Sequence, residues 1–140
     1  MKKDTVTLQA ELNSASTLKE FLDENDTGFQ EESIAELLES MIAQRKLKKT
    51  ALAMDAGMSE VYLFQILSGS RRPSRNRLIC LCVAMKAGLD ETQELLKQSG
   101  QAILYPKSRR DAVIMYGIMH RQELHEINDA LYESGENTLV

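Results

Sequence analysis

One stretch of the chain, Lys49 to Ser74, limits what the rest can fold into. It reads KTALAMDAGMSEVYLFQILSGSRRPS, and two short segments with apolar residues at helical spacing meet within it at Gly57. The second segment ends at Gly69, and four arginines follow it: Arg71, Arg72, Arg75 and Arg77. A glycine readily adopts the left-handed backbone that ends a helix. The stretch therefore predicts two short helices joined by a turn and followed by a basic loop.

The composition of the whole chain favours helix. Among 140 residues there are only two prolines and no tryptophan, and 43% of the residues are hydrophobic. Leu, Ala, Met, Glu, Lys and Gln dominate, which are strong helix formers. The length suits one globular domain with a real core. We therefore expect an all-α protein.

Two further features bear on the cellular setting. The chain has no run of about 18 uncharged apolar residues and no apolar segment of a signal peptide after Met1. We therefore expect a cytoplasmic protein without a membrane partner. Cys80 and Cys82 stand two positions apart in an apolar run, a spacing that predicts reduced thiols in the core rather than a disulfide.

The charge of the chain is unevenly distributed. The net charge is −4, yet residues 44–77 hold eight Lys and Arg against two acidic residues, a local charge of +6. The other residues therefore sum to −10. A basic block on an acidic protein is typical of a face that binds nucleic acid, because phosphates are neutralised locally. Chance clustering on a solvated surface is the alternative.

The chain divides into three predicted regions. Residues 1–30 are polar and irregular, and we interpret them as an N-terminal arm that packs on the domain, reaches a partner subunit or stays partly disordered. Residues 31–100 are the main domain, with the two-helix motif at 49–69. Residues 101–140 are predicted to form a C-terminal helical hairpin that packs on the domain or dimerises it.

Caps and glycines predict where the helices begin and end. Ser33 and Glu36 form a capping box at the start of a helix that runs to about Lys46. Small polar residues are expected to start the later helices, namely Thr50, Ser59, Ser74, Asp90 and Ser108. Glycines are expected to end helices, namely Gly57, Gly69, Gly88, Gly100 and Gly135.

The motif resembles the lambda-repressor-like, XRE-type helix-turn-helix regulators. The resemblance covers about residues 33–99 and is carried by Ala53, Gly57, Ser59, Tyr62, Leu63, Ile66 and the trailing Gly69-Ser70-Arg71-Arg72-Pro73-Ser74. It implies a five-helix DNA-binding domain, here extended by the C-terminal hairpin. The structural positions of the motif would be Ala53, Gly57, Ser59, Leu63, Ile66 and Gly69. No cofactor is implied.

The resemblance also implies the contacts with double-stranded DNA. The second helix of the motif would lie in the major groove. Base contacts would come from Glu60, Val61 and Gln65. Phosphate contacts would come from Lys49, Thr50, Tyr62, Arg71, Arg72 and Arg75. The chemistry suits these roles, because Gln65 can pair with adenine, Val61 can contact a thymine methyl and Glu60 can accept a hydrogen bond from cytosine N4.

Two residues depart from the pattern of the family. Phe64 stands where relatives usually have a small polar residue, and Glu60 puts a negative charge at the start of the reading helix. An exposed Phe beside Val61 also suits a protein-binding surface. Phe64 is open to three interpretations, namely contact with the DNA groove, contact with a partner protein, and burial in a larger core.

The C-terminal region resembles an earlier part of the chain. Residues 109–139 match residues 74–104 at an offset of 35 in eight positions, among them Arg75 with Arg110 and Gly100 with Gly135. A second hairpin that repeats the first is predicted, and convergence of leucine spacing is the alternative. Regulators of this family usually act as homodimers, and we expect the second hairpin to dimerise the chain through Val113, Tyr116, Leu124, Ile127 and Leu131. Widening of the core of one chain is the other possibility.

Catalysis and metal binding have little support in the sequence. His120 and His125 are five positions apart, off the spacing that would place both on one helical face for a metal. There is no phosphate-binding glycine loop and no nucleophile elbow. The sequence therefore predicts a protein that is not an enzyme, and the resemblance implies a sequence-specific transcriptional regulator of the repressor type that reads the major groove with residues 60–68. The alternative is a protein-interaction module whose residues 60–68 bind a protein partner.

Overall fold

The computed structural model of the chain describes residues 33–140, together with Gln9, Ala10 and Leu18 of the preceding segment. The chain divides into two units, Met1–Glu32 and Ser33–Val140. The arm predicted at residues 1–30 lies outside the described residues except at those three positions. The second unit contains both the motif and the C-terminal hairpin.

Residues 33–140 form seven helices, and no strand occurs among them. The all-α prediction is therefore confirmed for this part of the chain. The helices are α1 (Ile34–Gln44), α2 (Lys49–Asp55), α3 (Glu60–Leu67), α4 (Arg75–Ala84), α5 (Leu89–Gln98), α6 (Arg109–Met119) and α7 (Leu124–Glu133).

Serine side chains cap four of the helices, at the positions that the sequence predicts. Their hydroxyl oxygens accept backbone N–H groups three residues later, as capping serines do: Ser33 from Glu36, Ser59 from Tyr62, Ser74 from Arg77 and Ser108 from Asp111.

Three of the predicted helix limits are wrong. Thr50 lies inside α2, whose N-cap is Lys48 without a side-chain bond. Gly88 does not end α4, because Lys86 takes the left-handed conformation there with φ 57°. Gly88 instead caps α5, and its N–H donates to Glu91, so Asp90 is the second residue of α5 and not its cap.

Helix α4 lies at the centre of the unit. All six residues from Leu78 to Val83 are buried. Helix α2 packs on α4, and α1 packs on α5. Arg45, the C-cap of α1, donates to both oxygens of Glu91 on α5 at 2.7 and 2.8 Å. The motif therefore packs on the hairpin α4–α5 through α2, and α1 is attached to the same hairpin by an ion pair.

The hairpin α6–α7 repeats the hairpin α4–α5 in its polar contacts as well as in its sequence. In each, an arginine at the start of the first helix donates to two carbonyls beyond the second helix. An amide side chain of the second helix also accepts a backbone N–H eleven residues later. Arg75 donates to Ala102 O and Ile103 O, and Arg110 donates to Asn137 O and Thr138 O. The Leu104 N–H donates to Gln93, and the Leu139 N–H donates to Asn128. Each residue of the second hairpin lies 35 positions after its counterpart in the first.

The two hairpins meet through reciprocal contacts. Arg75 donates to both carboxylate oxygens of Asp111 at 3.2 and 3.0 Å, and Arg110 donates to Asn76 at 3.2 Å. At the offset of 35, residues 110 and 111 are the equivalents of residues 75 and 76. Residue 75 thus contacts the equivalent of residue 76, and residue 76 contacts the equivalent of residue 75. Helix α5 likewise packs on α6 as α4 packs on α7. Reciprocity of this kind is the signature of an approximate twofold relation, here within one chain.

The centres of the two hairpins are filled differently. In the first, Cys82 lies beside Thr92, whose hydroxyl donates to Gly88 O at 2.9 Å. The equivalents in the second are Gly117 and Ile127. A Cβ on Gly117 would meet Ile127 Cγ1 and would lie 2.6 Å from Ile127 Cδ1. Gly117 therefore provides the space that the larger Ile127 needs.

We expect Gly117→Ala to lower the free energy of unfolding. Overpacking costs about 1–3 kcal/mol, which exceeds the roughly 1 kcal/mol that alanine gains over glycine within a helix. Urea denaturation of the variant, of Ile127→Ala and of the double variant measures the effect. In the double variant the alanine at 117 should no longer destabilise. An equal loss from Gly117→Ala in both backgrounds would contradict this account.

We also expect the ion pair between α1 and α5 to make stability pH-dependent. The Arg45 guanidinium and the Gly88 N–H hold the pKa of Glu91 below its usual value of 4.5. A carboxyl group whose pKa is lower in the folded than in the unfolded state stabilises the fold at pH values above its unfolded-state pKa. This stability is lost as the pH falls through the folded-state pKa. The Glu91→Gln variant should therefore lose less stability than wild type between neutral pH and about pH 3, as measured by urea denaturation. Equal losses would show that Glu91 does not contribute.

Candidate nucleic-acid interface

The turn between α2 and α3 has the geometry that the sequence predicts. Gly57 adopts φ 68°, and the Met58 N–H donates to Ala53 O at 3.0 Å, which closes the end of α2. Ala53 is fully buried, and so are Leu63 and Ile66 on the inner face of α3. The six predicted structural positions of the motif therefore take their expected places, since Ser59 caps α3 and Gly69 follows it with φ 81°.

Both α4 and the C-terminal segment hold this turn. Arg77 on α4 donates to Gly57 O at 3.1 Å. On the other side, a Cβ on Gly57 would lie 3.2 Å from Val140 and 3.5 Å from Leu124. The second hairpin therefore packs against the turn, and the orientation of α3 depends on it.

The outer face of α3 is exposed to solvent. Glu60, Val61 and Phe64 all lie on it, and Gln65 is half-buried beside them. Val61 is 66% exposed and Phe64 is 49% exposed. Burial of Phe64 by the C-terminal helices is therefore wrong, because the inner face of α3 already packs through Leu63 and Ile66. A core shared with the predicted arm lies outside the described residues. The two surface interpretations of Phe64 remain.

A cluster of four side chains adjoins this face. Arg71 donates through Nε to Gln65 Oε1 at 2.8 Å. The guanidinium groups of Arg71 and Arg77 lie 5.1 and 5.4 Å from the centre of the Tyr62 ring, within range of cation–π attraction. Two cations are thus held at the edge of α3. The role of Arg77 is absent from the sequence prediction, because only the packing of α4 on α2 brings residue 77 beside Tyr62.

The remaining predicted phosphate contacts differ in availability. Thr50 is exposed. Lys49 pairs with Glu39 at 2.9 Å, with 38% and 42% of the two side chains exposed; such surface pairs contribute at most about 1 kcal/mol and exchange readily. Arg72 is exposed and donates one long hydrogen bond, 3.3 Å, to Ser99 O.

Arg75 does not belong to this surface. Its guanidinium donates to Ala102 O, Ile103 O and Asp111, which is buried. Four of its five N–H donors are therefore used inside the chain. The predicted phosphate contact of Arg75 is wrong, because charge pairing between the two hairpins takes the side chain away from solvent.

The predicted dimerisation residues separate into two groups. Leu124, Ile127 and Leu131 are buried in the core of their own chain, so they offer no surface to a second copy and their assignment is wrong. Ile127 packs against Gly117 of α6, and Leu124 packs beside the turn at Gly57. Val113 is half-buried, and Tyr116 is exposed. The ring of Tyr116 stacks on His120, with 3.9 Å between ring centres.

The two cysteines are free and buried, as expected of core thiols. Burial raises the pKa of Cys80 to about 11 and that of Cys82 to about 12. Both thiols are therefore protonated at neutral pH and unreactive. Among the described residues, no group of three His, Cys, Asp or Glu side chains could hold a metal ion.

We expect Arg71 and Arg75 to differ in their effects on stability. Replacing Arg75 with alanine leaves buried Asp111 without its cation and should lower the free energy of unfolding by about 2–4 kcal/mol. The Arg71→Ala variant removes an exposed side chain and should lose less than about 1 kcal/mol. Urea denaturation compares the two. Equal losses would contradict the division between internal and surface arginines.

Comparison with models of protein families, with characterised proteins and with solved structures found no match. Within residues 33–140 no helix has the length and apolar character needed to span a membrane.

Proposed function

We propose that the protein is a sequence-specific DNA-binding regulator that reads the major groove with α3. The observation that carries this proposal is the placement of Arg71 and Arg77 over Tyr62, at the edge of an exposed helix. Phosphate contacts set the register of such a helix, and base edges provide the sequence preference. A cationic edge beside the exposed face of α3 provides groups for both roles.

The edge of α3 is suited to phosphate. Arg71 and Arg72 are exposed, and Tyr62 lies beneath the guanidinium of Arg71. Planar guanidinium groups match phosphate oxygens in geometry and are less strongly hydrated than ammonium groups. Contacts of this type supply most of the affinity for any duplex, without regard to sequence.

Base reading would fall to Val61 and Gln65. Val61 projects an apolar side chain that suits the thymine methyl. Arg71 holds Gln65 Oε1, so the Nε2 end of that amide is the end that donates to a base. Acceptors in the major groove, such as purine N7, fit this donor.

A second candidate function is binding of a protein partner through the same face. Phe64 is 49% exposed next to Val61, and exposed apolar side chains in contact often mark protein interfaces. Glu60 at the start of α3 would be repelled by DNA phosphates. Binding of a protein needs no basic edge, so the salt dependence of binding and the effect of Arg71→Ala on affinity distinguish the two functions.

Selection from a pool of random duplexes at low salt tests the proposal. We expect enrichment of a motif, and we expect Arg71→Ala to weaken binding to all sequences and to lower the slope of log affinity against log salt by about 1. Gln65→Ala should relax the preference at one base position, at a cost of about 1–3 kcal/mol for the preferred base. Fluorescence anisotropy measures each affinity.

The matched control is Arg121→Ala, which removes an exposed arginine at the far end of α4, beside Lys86. It should bind duplex as wild type does. Failure of the folded chain to bind any duplex at low salt would overturn the proposal. Binding that Arg121→Ala and Arg71→Ala weaken equally would show attraction by net charge rather than by the α3 edge.

A further inference from the structure

The hairpin α6–α7 carries an open groove that its own packing leaves unfilled. Arg109, Ala112, Val113 and Tyr116 line it from α6, Ala130 lines it from α7, and Gln122 and Ser134 complete the lining. Its volume is about 450 Å³. Tyr116 is 57% exposed there, and Ala112, Val113 and Ala130 are partly buried. We name this surface the hairpin groove.

The repeat identifies what kind of surface the hairpin groove is. At the offset of 35, Val113, Tyr116 and Ala130 correspond to three residues of the first hairpin: Leu78, Leu81 and Leu95. The exposed fraction of each of the three residues is 3% or less. In the first hairpin this face is covered because α2 packs on α4 and α1 packs on α5. The hairpin groove is therefore the second copy of a surface that buries helices.

The first hairpin also shows the chemistry of a fitting helix. Leu37 and Met41 of α1 lie beside Leu95, and Arg45 follows one turn later on the same face. Arg45 holds Glu91 with two hydrogen bonds. Apolar residues at four-residue spacing and then an arginine thus match this face of α5.

The second hairpin retains the matching acidic rim. Glu126 is the equivalent of Glu91, and like Glu91 it accepts the N-cap N–H of its own helix. Asp129 and Glu133, the equivalents of Glu94 and Gln98, extend the exposed acidic row along α7. Ala130 is smaller than its equivalent Leu95. The hairpin groove therefore has room for a larger apolar side chain, and its α7 side, opposite Arg109, is acidic and complementary to a cation.

We propose that the hairpin groove binds an amphipathic helix of a partner protein, with apolar residues four apart and a lysine or arginine one turn further on. Recognition of a helix in an apolar groove uses anchors at this spacing. The acidic row of α7 sets the orientation of the bound helix and selects a basic partner. This surface lies on α6 and α7, so the proposal does not depend on DNA binding by α3.

A labelled peptide that copies residues 33–47, SIAELLESMIAQRKL, tests the proposal in fluorescence anisotropy with the full chain. We expect saturable binding. The Ala130→Phe variant fills the groove and should weaken binding about tenfold or more, as loss of a central anchor does. Glu126→Gln retains the capping bond but removes the charge, and it should weaken this peptide about two- to fivefold. It should not weaken a peptide that carries Arg45→Gln.

The matched control is Ala43→Phe, the same change at an exposed position of α1, and it should leave binding unchanged. Circular dichroism verifies that each variant is folded. Absence of binding up to about 1 mM peptide, the limit of weak specific contacts, would overturn the proposal. Binding that is insensitive to both Ala130→Phe and Glu126→Gln would place the peptide elsewhere, for example in the seat of α1. A dimer of the free chain that Ala130→Phe dissociates would assign the groove to a second copy instead.

Discussion

Burial of α4 on all sides is the constraint on which the rest of the structure depends. A helix that is apolar around its whole circumference must be covered by neighbours in every direction. Here α2, α5 and α7 all pack on it. No single hairpin could cover Leu78 to Val83, all of which are buried. The motif and the second hairpin are therefore both required for one core, which explains why residues 33–140 form one unit.

The two hairpins share one design with different surroundings. Arg75 and Arg110 each donate hydrogen bonds to the segment that follows the second helix of their own hairpin, and each also donates to the other hairpin. The outer face of the first copy is covered by α1 and α2. The same face of the second copy has smaller or more polar side chains, such as Ala130 for Leu95 and Gln122 for Ala87. Among the described residues, the first copy thus has a face that holds the motif, and the same face of the second copy stays open.

The arginines after α3 illustrate how packing divides similar side chains between roles. Arg75 is used by Asp111 and two loop carbonyls inside the chain. Arg71 and Arg77 lie over Tyr62 at the edge of α3. Arg77 also holds the turn at Gly57. Arginines within seven consecutive positions thus serve stability, surface charge, or both.

Local sequence was sufficient for the elements themselves. Serine caps, glycines with positive φ and helical spacing depend on neighbours within a few residues, so Ser59, Gly57 and the inner face of α3 could be predicted. The second hairpin could also be predicted, because its glycine and leucine positions repeat those of the first. The end of α4 could not be predicted, because Lys86 adopts a left-handed conformation that propensity assigns to glycine. The start of α2 could not be predicted either, because its N-cap is Lys48, which makes no side-chain bond.

Only the tertiary structure decided which side chains face outward. The sequence determined that the chain is helical, where the motif lies and where positive charge is concentrated. It did not determine that Arg75 pairs internally, that Leu124, Ile127 and Leu131 belong to the core, or that Phe64 is exposed. The pairing of Arg75, for example, depends on Asp111, which lies 36 positions away in the sequence. Helical spacing marks an apolar face, but only the packing partner decides whether that face is buried within the chain.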